Sequence, residues 1–275
     1  MIHIGPYIEQ FINWLTLNFA EFFNAVKYIV ESVVNSVEFV FMYPPFYVII
    51  ALIALLSWKR SGLGLTVLSI LGLMLIWAMG YWPQTMATLA LILSAAFIAL
   101  LIGIPLGIWA AKKPLAGKIM RPVLDLMQTM PAFVYLIPAV LFFGLGKVPG
   151  AFATVIFAMP PAVRLTSLGI SQVPASIVEA TRSFGATPGQ LLFKVELPIA
   201  LPTILAGVNQ TIMMALSMVV ISAMIAAGGL GEVVLKGITQ LKIGVGFEGG
   251  IAVVILAIIL DRITQSFGNV KKSNI

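Results

Sequence analysis

From Pro6 to Met42 apolar and polar positions alternate at helical spacing. Ile8, Phe11, Ile12, Leu15, Phe19, Phe22, Phe23, Val26, Val30, Val33 and Val37 recur every three or four residues, while Glu9, Asn13, Thr16, Asn24, Lys27, Glu31, Asn35 and Glu38 fall largely on the other side. Such a stripe predicts one or two amphipathic helices lying in an interface rather than crossing a bilayer. The polar face is acidic, with Glu9, Glu21, Glu31 and Glu38 against Lys27. Helices held to anionic headgroups are basic, so this segment is expected on the outer leaflet or against protein. A slightly polar first span is the alternative.

Beyond it the pattern becomes long apolar runs. A spanning helix needs about 20 predominantly apolar residues. Runs of this kind are Phe39–Trp58, Gly62–Gly80, Thr85–Ala111, a fourth within Val123–Leu145, Pro149–Leu168, a sixth near Thr203–Ala227, and Ile251–Phe267. Gly103 and Gly107 form a small-xxx-small face on the third, which plain packing explains as well as function does. The fourth holds Asp125, Gln128, Pro131 and Pro138, and the fifth Pro160, Pro161 and Arg164. Proline frees backbone carbonyls, tolerable in a membrane only where protein or water re-satisfies them. An arginine at mid-bilayer costs at least about 2.5–3.5 kcal/mol, which places Arg164 near a headgroup layer. Asp125 is either an intramembrane carboxylate or a helix cap near the cytoplasmic interface.

Composition agrees. Sixty per cent of the 275 residues are hydrophobic and 9% charged, against about a quarter charged in soluble domains, so this is a multi-pass membrane protein. There is no cysteine, hence no disulfide, thiolate metal site or thiol nucleophile. His3, the only histidine, is expected to be solvated, and no metal site is expected. The net charge of +6 reads as membrane topology, not as a nucleic-acid footprint. No cleavable signal peptide is expected, because polar residues interrupt every early apolar run.

One stretch, Gln172–Pro202, does not suit hydrocarbon: it carries Glu179, Arg182, Lys194 and Glu196 among prolines and glycines. It is a candidate docking surface for a partner in water. If it is cytoplasmic, counting spans both ways puts Lys59, Arg60, Lys112, Lys113, Lys118, Arg121, Arg164, Arg182, Lys194, Arg262, Lys271 and Lys272 inside, and only Lys27, Lys147, Lys236 and Lys242 outside. Twelve against four is a positive-inside bias. Seven spans, N-terminus out and C-terminus in, are therefore predicted.

No G-x-x-x-x-G-K-[ST] occurs, so a Walker A loop is excluded, as are G-x-S-x-G, H-E-x-x-H and EF-hand patterns. The ten carboxylates are scattered, with no intramembrane pair suited to ion coupling. The chain is built to move something without a visible energy source of its own. The polar stretch contains Glu179-Ala180-Thr181, then Gly185 after three residues, Val195 after nine more, and Leu197-Pro198 after one. This E-A-T-x₃-G-x₉-V-x-L-P resembles the E-A-A-x₃-G-x₉-I-x-L-P signature of ABC-importer permeases, with Thr181 for the second alanine and Val195 for the isoleucine. Small residues at 180 and 181 suit a helix seated deep in a groove, Gly185 permits a sharp turn, and Leu197-Pro198 is expected to end the element where the next span begins. Arg182 and Phe184 would offer charged and apolar contacts.

The stretches DLMQTMPAFVYLIPAVLFFGLGKVPG, VIFAMPPAVRLT and NQTIMMALSMVVISAMIAAGGLG further resemble the permease subunits of glycine betaine/proline betaine (osmoprotectant) ABC importers. The resemblance implies an all-α, type I (MetI-like) permease, homodimeric in the cell membrane. Its expected division is an amphipathic region at 1–42, two accessory helices at 43–83, a core at 84–268 with a cytoplasmic coupling loop at 172–198, and a tail at 269–275. It also implies separate ABC ATPase subunits that bind ATP and Mg, none being bound by this chain, and an extracellular substrate-binding protein. With its end at Ile275 the chain is expected to carry no fused binding domain. Pro131, Phe133, Tyr135, Phe157 and Pro160 are the candidate translocation-path residues, their rings offering faces to a trimethylammonium group. Packing against lipid or neighbouring helices is the alternative for each. The expected activity is ATP-driven uptake of glycine betaine or a related quaternary-ammonium osmolyte. The alternatives are another small solute (choline, carnitine, proline or an amino acid), a stand-alone channel or secondary carrier, or a structural assembly subunit.

Overall fold

Two prolines decide where the apolar runs break. Pro45 and Pro131 stand ahead of helices with φ −58° and ψ 149°, and φ −56° and ψ 138°. A residue before proline is pushed out of the helical region, and Met130 accordingly takes φ −70° and ψ 134°. At each site the chain turns by 98°. The computed structural model describes residues 5–268; His3, Lys271, Lys272 and the tail 269–275 lie outside the described residues.

In chain order the helices are α1 (Gly5–Asn18), α2 (Ala20–Met42), α3 (Phe46–Ser61), α4 (Leu63–Ala78), α5 (Trp82–Lys112), α6 (Pro114–Thr129), α7 (Ala132–Phe143), α8 (Lys147–Ser171), α9 (Ala175–Ser183), α10 (Pro188–Leu191), α11 (Leu197–Ser222), α12 (Gly229–Thr239) and α13 (Ile243–Gly268). The seven apolar segments of the sequence correspond to α3, α4, α5, the α6–α7 pair, α8, α11 and α13. Among the described residues four helices are alone long and apolar enough to cross a membrane; each of two bent pairs, α2–α3 and α6–α7, adds one, and α4 is a shorter apolar helix.

Three segments differ from expectation. The run Phe39–Trp58 is not one helix, because Pro44-Pro45 divides α2 from α3. The run Val123–Leu145 is divided at Pro131, so Asp125 and Gln128 belong to α6, an amphipathic helix with only Ala116 and Leu124 buried. By contrast Leu197-Pro198 begins α11, where the next span is expected, but no break separates it from the preceding turn. Pro198 has no N–H for the carbonyl four residues back, and a π-helical turn over Leu192–Glu196, in which Leu197 N–H bonds Leu192 O, carries the helix through.

The centre of the bundle is α5, α8 and α11, held close by small residues. A methyl at Gly103 would lie 2.9 Å from Ala162 Cβ, and one at Gly107 would lie 2.6 Å from Thr166 Cβ, so α5 and α8 run parallel in contact. Gly169 faces Ala200 and Thr203 while Gly207 faces Pro161 and Leu165, which makes α8 and α11 antiparallel. Close approach of backbones supplies dispersion where lipid offers no hydrophobic drive between helices. The Gly103/Gly107 pair thus serves packing. Around this centre Ile92, Leu216, Leu230 and Leu256 form the main buried cluster. The start of α12 is itself buried, and Leu230 N–H finds its partner in Thr88 Oγ1 at 2.8 Å.

The N-terminal stripe packs against protein only along α2, for no residue of α1 is buried. Val30 and Val34 of α2 are buried with Phe143, Val148 and Ala151, and Phe23 stacks on Phe142 at 4.2 Å. Glu38 pairs with Lys147. The accessory hairpin is tied at both ends. Phe46 stacks on Trp77 at 4.4 Å at one end, and Arg60 lies 4.5 Å over the Phe267 ring at the other. These contacts, with Asn209 on Asp261 at 3.3 Å and Gly268 beside Leu205, bring Lys59, Arg60 and Arg262 to the end of the bundle where α5 and α8 finish and α11 begins. At the opposite end, where α5 and α8 begin, Tyr81 donates to Glu248 Oε2 at 2.7 Å. That hydrogen bond, then burial and the carboxylate charge, raise the Tyr81 hydroxyl above its ordinary phenol value.

Candidate functional site

At the basic end, α8 stops at Ser171 and the chain enters α9 through Pro174, whose φ of −54° and ψ of 129° start the new helix. None of the nine residues of α9 is buried. Glu179, Ala180, Thr181 and Arg182 lie on it. Thr181 Oγ1 donates back to Ile177 O at 2.7 Å and Ser183 Oγ to Glu179 O at 3.0 Å, so both hydroxyls are satisfied on the helix itself. The helix ends in a Schellman motif: Gly185 N–H bonds Arg182 O at 2.9 Å and Ala186 N–H bonds Thr181 O at 3.3 Å. Gly185 takes φ +80°, a conformation that any side chain would strain. Phe184, the residue before it, is 92% exposed.

The return is equally determined by local sequence. Thr187 and Gln190 form a reciprocal capping box, with Pro188 in the first turn, and start α10. Lys194 and Val195 lie in the π turn, and Leu197 and Pro198 begin α11, where Leu197 packs against Ile170, Ala200 and Ile204. Glu196 does not share the solvent-facing character expected of the stretch. It is 4% exposed and ion-paired to Lys112 at the end of α5, so it binds the π turn to the bundle.

The five candidate path residues are not gathered into one site. Pro131 breaks the α6–α7 pair, and its missing N–H leaves Met127 O free. The Tyr135 hydroxyl donates to that carbonyl, re-satisfying it inside the apolar region. Phe157 meets Tyr135 edge to face at 6.5 Å, whereas Phe133 is 52% exposed and Pro160 is buried within α8. Asp125 is neither a cap nor an isolated intramembrane carboxylate. It is exposed on α6 and forms an ion pair with Arg164 of α8, close to the end where α8 meets α9.

Sequence reasoning missed the pairs that join distant elements. Lys112–Glu196, Glu38–Lys147 and the Asn209–Asp261–Thr264 network link residues 52 to 109 apart, and no local spacing announces them.

An all-helical bundle of long apolar helices, carrying one short helix without a buried residue, defines a membrane protein. The family model described as "binding-protein-dependent transport system inner membrane component" matches residues 103–269, and the chain belongs to that family of multi-pass permease subunits. Over 273 residues it is 52% identical to the glycine betaine/proline betaine transport system permease protein ProW of Escherichia coli, covering 99% of this chain and 77% of that one. It is 50% identical to the glycine betaine transport system permease protein OpuAB of Bacillus subtilis (99% and 96% covered), and 51% identical to the glycine betaine/carnitine transport permease protein GbuB of Listeria monocytogenes (99% and 98%). An inward-facing structure of the MetNI methionine ABC transporter shares the fold with a TM-score of 0.57 at 24% identity, over 66% of this chain and 92% of that one.

Proposed function

We propose that the chain is the permease of an ATP-driven importer for glycine betaine or a closely related quaternary-ammonium osmoprotectant. The observation that carries this reading is α9, a helix with no buried residue, capped by Gly185 in a left-handed turn and set at the basic end of the bundle. An apolar bundle has no use for such a helix unless a partner in water covers it. The matched spacing from Glu179 to Pro198 makes that partner an ABC ATPase subunit, which binds ATP and Mg and hydrolyses the nucleotide; the permease binds neither. Glu179 and Arg182 supply charge, Ala180 and Thr181 a low profile, and Phe184 an apolar anchor. A second copy of the chain completes the passage, and an extracellular binding protein delivers the ligand to the opposite end. Names of the similar permeases support betaine as substrate and carnitine as the alternative. The passage draws on the region around Pro131, Phe133, Tyr135, Phe157 and Pro160.

Glu179→Arg and Gly185→Val are each expected to lower betaine-stimulated ATP hydrolysis and uptake by about tenfold or more, the size of a typical inter-site coupling, while the permease still purifies as a folded protein. Full uptake by both variants in proteoliposomes would remove α9 from the coupling role. Excess unlabelled carnitine or choline against labelled betaine reads the substrate range in the same vesicles.

The basic end is the cytoplasmic one. Lys59, Arg60, Lys112, Lys113, Lys118, Arg121, Arg164, Arg182, Lys194 and Arg262 support this by the positive-inside rule. A reporter fused after Ile275 is expected to score as cytoplasmic, and one fused before the first residue as external. The reverse scores would invert the orientation.

A further inference from the structure

Between the end of α5, the face of α6 and the last turns of α8 lies a cavity of about 390 Å³, at the lower end of the roughly 300–1,000 Å³ typical of small-molecule sites. Its walls follow from helical spacing. Gly117 brings α6 against the Ala110 carbonyl, and Arg121 and Asp125, one turn apart, share the α6 face that lines the cavity. On α8, Arg164, Ser167 and Ser171 recur at three and four residues and line the opposite wall. Asp125 and Arg164 pair across the gap, while among the described residues Arg121 pairs with no carboxylate. The cavity therefore presents two guanidiniums and one carboxylate. A lone cation meets the excess positive charge, and a lone anion that draws both arginines to itself leaves Asp125 without a cation. A small molecule carrying both a carboxylate and an ammonium satisfies each wall: its carboxylate takes the arginines, with the forked geometry they favour, and its cationic end faces Asp125.

We infer that this cavity is a release-side site for a small zwitterion, the imported betaine itself, which exchanges for the Asp125–Arg164 pair before leaving. The inference rests on the proposed function for its ligand and orientation. Only Gln172–Pro174 separate α8 from α9, so displacement of α9 is transmitted along α8 to Arg164.

The chain has no cysteine, so one introduced thiol reports on the cavity alone. Ser167→Cys, and separately Ser171→Cys at the rim, are modified with a charged maleimide in the full-length chain in phosphatidylglycerol nanodiscs. Glycine betaine at about twice its dissociation constant is expected to slow modification roughly threefold, the 1 + [L]/Kd relation. Choline, which lacks the carboxylate, and sucrose of equal osmolality are expected to leave the rate unchanged. Adding Arg121→Gln or Arg164→Gln is expected to abolish protection while the thiol stays reactive. Modification indifferent to betaine at both positions, in a permease whose transporter does import betaine, overturns the site alone. Protection by phosphatidylcholine in the nanodisc without betaine assigns the cavity to a lipid headgroup and overturns it too. A wild-type transporter that imports no betaine overturns the proposed function, and with it the identity of this ligand.

Discussion

Lys112→Met is expected to destabilise the folded permease by about 3 kcal/mol, whereas Lys112→Met with Glu196→Gln recovers most of that loss. Removing one member of a buried ion pair leaves the other charge desolvated without compensation, at a cost of about 3–5 kcal/mol. Here the stranded group is Glu196, whose side chain is 6% exposed, while Lys112 keeps 34% of its own exposed, which argues for the low end of that range. The position adds a mechanical reason. Glu196 is the last residue of the π turn that carries the chain through Pro198, and Lys112 ends α5, so the pair fastens the segment between α8 and α11 to the bundle. Thermal unfolding of the purified variants checks this. Equal losses in the single and the double variant would show that the pair, and not the isolated charge, supplies the stability.

Gly107→Leu is expected to abolish the folded bundle, and Gly107→Ala to cost about 1–3 kcal/mol or more, the usual penalty of overpacking. Even a methyl at Gly107 would lie 2.7 Å from the Val163 carbonyl oxygen and 2.6 Å from Thr166 Cβ. A backbone carbonyl cannot turn aside as a side chain can, so α5 and α8 must separate along their whole seam, where Gly103 meets Ala162 at 2.9 Å. Gly64→Ala is the control. Nothing lies within 4 Å of its added methyl, and Gly64 sits in the first turn of α4, so the change is expected to be neutral or stabilising by up to about 1 kcal/mol. Surviving, unshifted unfolding in Gly107→Leu would mean that the seam is not closed as described.

Sequence pattern located the helices because helix formation in an apolar solvent is a local matter: each backbone group must bond within its own segment. The stripe from Ile8 to Val37, the apolar runs and the turn at Gly185 are all written in residues close together in the chain. The breaks were harder. Pro131 ends α6 whereas Pro160, Pro161 and Pro198 are carried inside or through helices, although the residue type is the same. The outcome depends on what re-satisfies the freed carbonyl, a side chain from beyond the break or the helix's own backbone. For Met127 it is the Tyr135 hydroxyl, and before Pro198 it is the change to π-helical bonding at Leu192.

The candidate site was legible in the same uneven way. Glu179, Ala180, Thr181, Arg182 and Gly185 stand on one short segment, so the resemblance of that segment to the permease signature marks them. Glu196, only seventeen residues from Glu179, was grouped with them by its charge, yet it faces inward, because its partner Lys112 lies 84 residues away. Asp125 likewise looked like a lone carboxylate until Arg164 was brought beside it by the 98° bend at Pro131.

By itself, then, the order of residues determined the solvent of this protein, the number and rough extent of its apolar segments, the segregation of its basic residues and the short polar helix among them. All of these depend on contacts within a few turns of chain. Only the tertiary structure decided which helices touch, which charges are paired and which are free, and where a broken helix leaves a charged cavity. Those depend on the register of one helix against another, set by where Gly103, Gly107, Gly169 and Gly207 allow backbones to meet, and a one-turn shift at any of these seams would join different partners.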